Sequence, residues 1–106
     1  FMELIVNKPH IYEGDFPTFK EGVKVSNLEK CKEYYAWYSC EIEGYNIYIH
    51  EDYFQDEVLI KEYNPTELNV NIGDKLTLVT IKNSWLYCKN EAGILGWVPA
   101  DNVVEK

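Results

Sequence analysis

Several signatures that would assign this chain to a familiar chemistry are missing. No nucleophile elbow, phosphate-binding loop, glycine-rich dinucleotide fingerprint or His-Glu-x-x-His segment occurs. No apolar run is long enough for a membrane helix. The start, Phe1-Met2-Glu3-Leu4-Ile5-Val6, has no basic stretch leading into a long apolar one, so no secretion signal is expected. Phe1 ahead of Met2 reads as an expression remnant. Cysteine is sparse and unpaired in its spacing: Cys31, Cys40 and Cys88 suit neither a disulfide framework nor a zinc cluster, and point to a reducing cytoplasm. The one Asn-x-Thr, at Asn64, is blocked by Pro65. Alanine is scarce and aromatic residues make up 15% of the chain, a balance that favours strands over helices.

Positive charge is also in deficit. Ten basic residues face 18 acidic ones, for a net charge of −8, and the excess runs through both halves. Nucleic acid and anionic membrane surfaces are therefore not expected partners, because both are held mainly by cationic side chains. A length of 106 residues, 46% of them apolar, allows one domain or two very small ones that lean on each other.

An internal repeat favours two. Gly22-Val23-Lys24-Val25 answers Gly73-Asp74-Lys75-Leu76 at a separation of 51, and Trp37-Tyr38-Ser39-Cys40 answers Trp85-Leu86-Tyr87-Cys88 at 48. Gly44 answers Gly93 at 49, and Tyr48 to Asp52 answers Trp97 to Asp101 at the same spacing. The changes in spacing put three extra residues before Trp37 and one near Ala92, in places where turns absorb insertions.

Within each copy the apolar pattern has a period of two. Lys75 to Ile81, Ser84 to Lys89 and Ile94 to Val98 read as strands, with Asn90 to Gly93 as a tight hairpin and Val103-Val104 as a short final strand. The first copy supplies Leu4 to Val6, Val23 to Leu28, Trp37 to Glu43 and Tyr45 to His50. Gln55-Asp56 alone separates the copies, which sets the domains at 1–55 and 56–106 and predicts close packing of the two. The spacing of Trp37 and Trp85 from Cys40 and Cys88, three residues along a strand, turns each Trp away from the side that Cys faces, so both are expected outward. Cys40 and Cys88 themselves read as small apolar core residues.

Residues 67–104 resemble the Src-homology-3 domain. Glu67-Leu68 and Gly73-Asp74 look like its Glu-Leu and Gly-Asp landmarks, Trp85-Leu86-Tyr87-Cys88 like its Trp-Trp-x-Ala strand, and Gly96 to Val103 like its Gly-x-Ile-Pro-Ser-Asn-Tyr-Val close. The resemblance implies an all-β chain of two tandem five-stranded barrels, without catalytic residues, cofactor or metal. In the family an aromatic groove receives an extended proline-rich segment. Carried over residue by residue, Trp85 and Pro99 match the groove Trp and Pro of the second copy, whereas Asn102 replaces the closing Tyr and Val58 to Glu62 replaces the opening Ala-Leu-Tyr-Asp-Tyr. In the first copy Trp37 and Tyr53 match the groove Trp and closing Tyr, and His50 replaces the Pro. Its opening loop adds Tyr12, Glu13 and Asp15, where family members hold a ligand's basic residue.

The expected ligand-binding residues are thus Tyr12, Glu13, Asp15, Trp37, Tyr53, Trp85 and Pro99, with the first copy as the fuller groove. The expected function is cytoplasmic binding of an extended, basic or Pro-containing segment of a protein or peptide partner. A structural or oligomerising protein whose aromatic faces are buried between barrels, with Trp85 and Tyr63 at the contact, is the alternative, and cell-wall glycan binding stands third. The oligomeric state is left open by the sequence.

Overall fold

The computed structural model describes residues 2–106, so Phe1 lies outside them. The described residues are all-β: ten strands, two single-turn 3-10 segments and no α-helix. The strands are β1 (Glu3–Val6), β2 (Ser26–Lys30), β3 (Trp37–Ile42), β4 (Tyr45–His50), β5 (Phe54–Gln55), β6 (Val58–Leu59), β7 (Lys75–Lys82), β8 (Trp85–Asn90), β9 (Leu95–Pro99) and β10 (Val103–Glu105). They form a five-stranded sheet ordered β10-β1-β7-β8-β9, a three-stranded sheet ordered β2-β3-β4 and the pair β5-β6.

The turns explain much of this. Three strand pairs, β3-β4, β5-β6 and β7-β8, are joined by two-residue turns in which both residues have positive φ: Glu43 and Gly44, Asp56 and Glu57, Asn83 and Ser84. Such turns match the right-handed twist of the strands they connect. The β8-β9 turn is longer and is held by Asn90, whose Oδ1 accepts from the amides of Ala92 and Ile94.

Two compact units result, and they are not the halves 1–55 and 56–106. One is Phe1–Asp15 with Thr66–Lys106, and the other is Phe16–Pro65. The correction has two physical sources. Asp56, read as part of the boundary, sits with Glu57 in the tight turn of the β5-β6 hairpin, which keeps the chain inside one unit. β1, expected to complete the first copy, pairs with β7 and β10 instead: Leu4 lies opposite Leu76 and Glu105, and Val6 opposite Val103. The same edge of the other unit is filled by β6, which bridges Lys24 and pairs with β5.

The hydrogen bonds made by these two first strands correspond. Val6 N donates to Asp74 O at 3.0 Å and Leu59 N to Val23 O at 2.9 Å, while Gly73 N to Val6 O and Gly22 N to Leu59 O are both 2.8 Å. Farther along, His10 and Val70 exchange a reciprocal amide pair, as Phe19 and Tyr63 do. Asn7 N donates to Asn102 O, as Ile60 N does to Tyr53 O. The arm of residues 3–12 thus stands to one unit as residues 57–65 stand to the other.

Each unit has its own core. Leu4, Val6, Leu68, Val70, Leu76, Leu86, Cys88 and Val98 form one buried cluster, with Leu78, Ala100 and Val103 packed against it. Phe19, Val25, Cys40, Ile42, Ile47, Ile49 and Leu59 are buried in the other unit. The Thr66–Leu68 segment lies along β9, with Leu68 N donating to Trp97 O and Trp97 N to Thr66 O. Gly96 permits that approach, because a Cβ there would stand 2.7 Å from Leu68 Cβ and 2.9 Å from its amide nitrogen.

Gly96→Ala is therefore expected to destabilise the chain by about 1–3 kcal/mol, the usual cost of overpacking, read as a lower urea midpoint with an unchanged slope. The unit composition gives a second prediction. Residues 16–65 as an isolated fragment should keep a strand-type circular dichroism spectrum, whereas residues 56–106, deprived of Leu4 and Val6, should be unfolded. Equal folding of 1–55 and 56–106 would contradict the observed division.

Candidate functional site

The exchange of first strands regroups the residues expected at the two grooves. Tyr12, Glu13 and Asp15 belong to the unit that holds Trp85 and Pro99, while Trp37 and Tyr53 belong to the other. The groove expected from Tyr12, Trp37 and Tyr53 together is thus divided between units.

Trp37 is also not outward-facing in the exposed sense: it is 5% exposed. Alternation places it opposite His50 across β3-β4, and the His50 ring meets its indole edge-on, with centroids 5.4 Å apart. His50 is itself buried, with Nδ1 accepting from Asp52 N to start the 3-10 turn at Glu51–Tyr53. Strand alternation fixes which face a side chain takes, but not what covers that face. Tyr53 is likewise buried, tilted over Tyr63 at 4.7 Å with the Lys61 ammonium 4.8 Å from its ring centre. The Tyr63 hydroxyl donates to Tyr48 O. In this unit Trp37 and Tyr53, expected in the groove, are packed away.

In the other unit the equivalent position stays open. Trp85 and Pro99 are directly opposed across β8-β9, and both are half-buried. The first arm brings His10 to them: its ring meets Trp85 edge-on with centroids 6.0 Å apart, and its Nε2 lies 2.7 Å from Glu67 Oε1. His10 and Glu67 are each about one-fifth exposed, at 19% and 18% of their side-chain surface. Two residues farther along the arm, Tyr12 is anchored through its amide to Asn69 Oδ1. Its ring lies against Gly14, where a Cβ would meet Tyr12 Oη at 2.7 Å. Glu13 and Asp15 follow, both exposed.

Asn102 has a structural task here. Its Nδ2 donates to Lys8 O at 3.3 Å and Pro9 O at 3.0 Å, and its carbonyl accepts from the amides of Asn7 and Lys8. It fastens the arm to the 3-10 turn at Ala100–Asn102, which leads from Pro99 into β10. The result is a face of one indole, one pyrrolidine and one imidazole with Tyr12 beyond it, edged by Glu67 and followed along the arm by two exposed carboxylates. Sequence reasoning missed His10 and Glu67 as members of this face, since they are 57 positions apart and meet only through the His10-Val70 bridge.

Among the described residues no group of three or more His, Cys, Asp or Glu side chains is disposed to hold a metal ion. A depression of about 170 Å³ in the other unit is lined by Asn27, Ser39, Cys40, Asn46, Ile47 and Tyr48, well below the volume of an ordinary small-molecule pocket. Cys40 and Cys88 are free and buried, as expected of core residues. Burial pushes the Cys40 thiol up to about 12, with a smaller contribution from Cys31, and the Cys88 thiol up to about 11. Burial, and then the Glu33 carboxylate, also raise Cys31.

No protein-family model, curated protein or solved structure matches this chain.

Thiols that titrate higher in the folded chain hold more protons there than in the unfolded chain above the ordinary value of 9.0. Their stabilising effect is complete below pH 9 and is lost as pH rises from there through about 11 to 12. Urea midpoints should accordingly fall above pH 9, and in Cys40→Ala/Cys88→Ala that decline should be shallower even though the neutral-pH midpoint is lower.

Proposed function

We propose that this protein is a non-catalytic binding module of the Src-homology-3 type, and that the face of Trp85, Pro99, His10 and Tyr12 receives an extended, basic or Pro-containing segment of a protein partner. The carrying observation is that Trp85, opposed to Pro99 and edged by His10, remains partly exposed while its counterpart Trp37 is buried. A flat aromatic face suits a ligand with little conformational entropy to lose, and an extended segment rich in proline is such a ligand.

The surrounding charge supports a cationic ligand. Glu13 and Asp15 are exposed on the arm, Glu67 stands at the face, and the chain carries a net charge of −8. Complementary charge of this kind mainly raises the association rate and selects against acidic competitors. The fold supports the family reading too, since the unit holding every landmark of the resemblance contains five strands. On this reading the unit of residues 16–65 is a second, degenerate barrel that serves as scaffold.

Titration of isotope-labelled protein with a panel of basic and Pro-containing peptides tests the proposal. Binding should shift amides around Trp85, Pro99 and His10. Trp85→Ala should weaken it by at least about 2 kcal/mol, roughly thirtyfold, as expected for an aromatic anchor. Trp37→Phe should leave affinity unchanged. Peptides that move no amide at this face, or equal binding by Trp85→Ala, would refute it.

A further inference from the structure

The amino-terminal arm pairs with residues that follow it by more than fifty positions in the chain. β1 pairs with β7 and β10, His10 with Val70 and Glu67, Tyr12 with Asn69, and the Lys8 and Pro9 carbonyls with Asn102. Leu4 and Val6 on this arm are core residues of the unit they enter. Beyond Tyr12 the arm continues into Glu13-Gly14-Asp15, with both acids exposed and a glycine between them. The strand partners of the arm thus all lie beyond the short segment Glu13-Gly14-Asp15.

We infer that this arm is exchangeable between molecules: in a dimer, the arm of each chain docks on β7 and β10 of a second copy of the chain. Such a dimer keeps every hydrogen bond and every core contact named above, and only the backbone of that short segment must change. Exchange of an identical element is a low-cost route to association because it needs no new complementary surface. The chain already shows that its first arm leaves the residues next to it in sequence, since residues 57–65 make the corresponding bonds in the unit of residues 16–65. The docked arm also supplies His10 to the face of Trp85, so each face in the dimer is assembled from two chains. The inference concerns assembly and stands whether or not that face binds a peptide.

Val6 and Val103 are directly opposed across β1 and β10, which makes them a reporter of whose arm is docked. Cysteine is close to valine in size and apolar in character, so Val6→Cys and Val103→Cys disturb the strands little. Unlabelled full-length Val6→Cys and isotope-labelled full-length Val103→Cys would be mixed at high concentration, carried through mild urea and back, oxidised and mapped by peptide mass spectrometry. Exchange gives a disulfide joining residue 6 of a light chain to residue 103 of a heavy one. For the wild-type chain it also gives a doubling of mass by light scattering as concentration rises. A monomeric mass at every concentration, or no light–heavy bond under conditions where the double variant closes that bond within one chain, overturns the inference.

Discussion

The pairing of β1 with strands from the far end of the chain is the constraint on which the rest depends. A short strand has no stability of its own, and its amides and carbonyls need partners once it enters a core. β1 meets that need between β7 and β10, and in doing so buries Leu4 and Val6, each contributing about 1.5–3 kcal/mol of hydrophobic stabilisation. That docking also draws residues 7–12 across the end of the sheet. Asn102, Val70, Asn69 and Glu67 then take up the polar groups of the arm in turn.

From the same event comes the difference between the two aromatic faces. Trp85 receives an arm carrying His10, a polar aromatic residue whose ring meets the indole edge-on while the indole stays partly exposed. The face around Trp37 is built with His50 in place of a proline, and there both indole and imidazole are buried. Tyr53, in place of Asn102, packs on Tyr63 instead of fastening the arm with a side-chain amide. The two faces thus differ in burial as well as in side chains: Trp37 is buried and Trp85 partly exposed.

Much of the local structure was legible from residue order alone. The alternating runs Lys75 to Ile81 and Trp85 to Lys89 are strands, and both Cys40 and Cys88 are core residues. Turns lie where the length differences were expected, at Cys31 to Ala36 ahead of Trp37 and at Glu91 to Ile94 around Ala92. Less legible was the stretch around Asp56. An acidic residue between two strands reads equally as a linker or as a tight turn, and the choice rests on positive φ at Asp56 and Glu57, neither of them glycine. The outward placement of Trp37 failed for a related reason. A period of two reports the face of a sheet, and burial of that face depends on chain that arrives from elsewhere.

Composition and order by themselves established an all-β chain, its acidic balance, many of its strands and the burial of Cys40 and Cys88, because these follow from side-chain volume, charge and a two-residue period. Which first strand completes which sheet lay beyond their reach. Leu4 to Val6 and Val58-Leu59 are both short apolar strands, and the edges at Gly22 to Val25 and Gly73 to Leu76 offer them the same main-chain bonds. Local pattern cannot separate two donors from two matching acceptors. Long-range packing chose the crossed arrangement, and with it the meeting of His10, Glu67, Trp85 and Pro99 on one face.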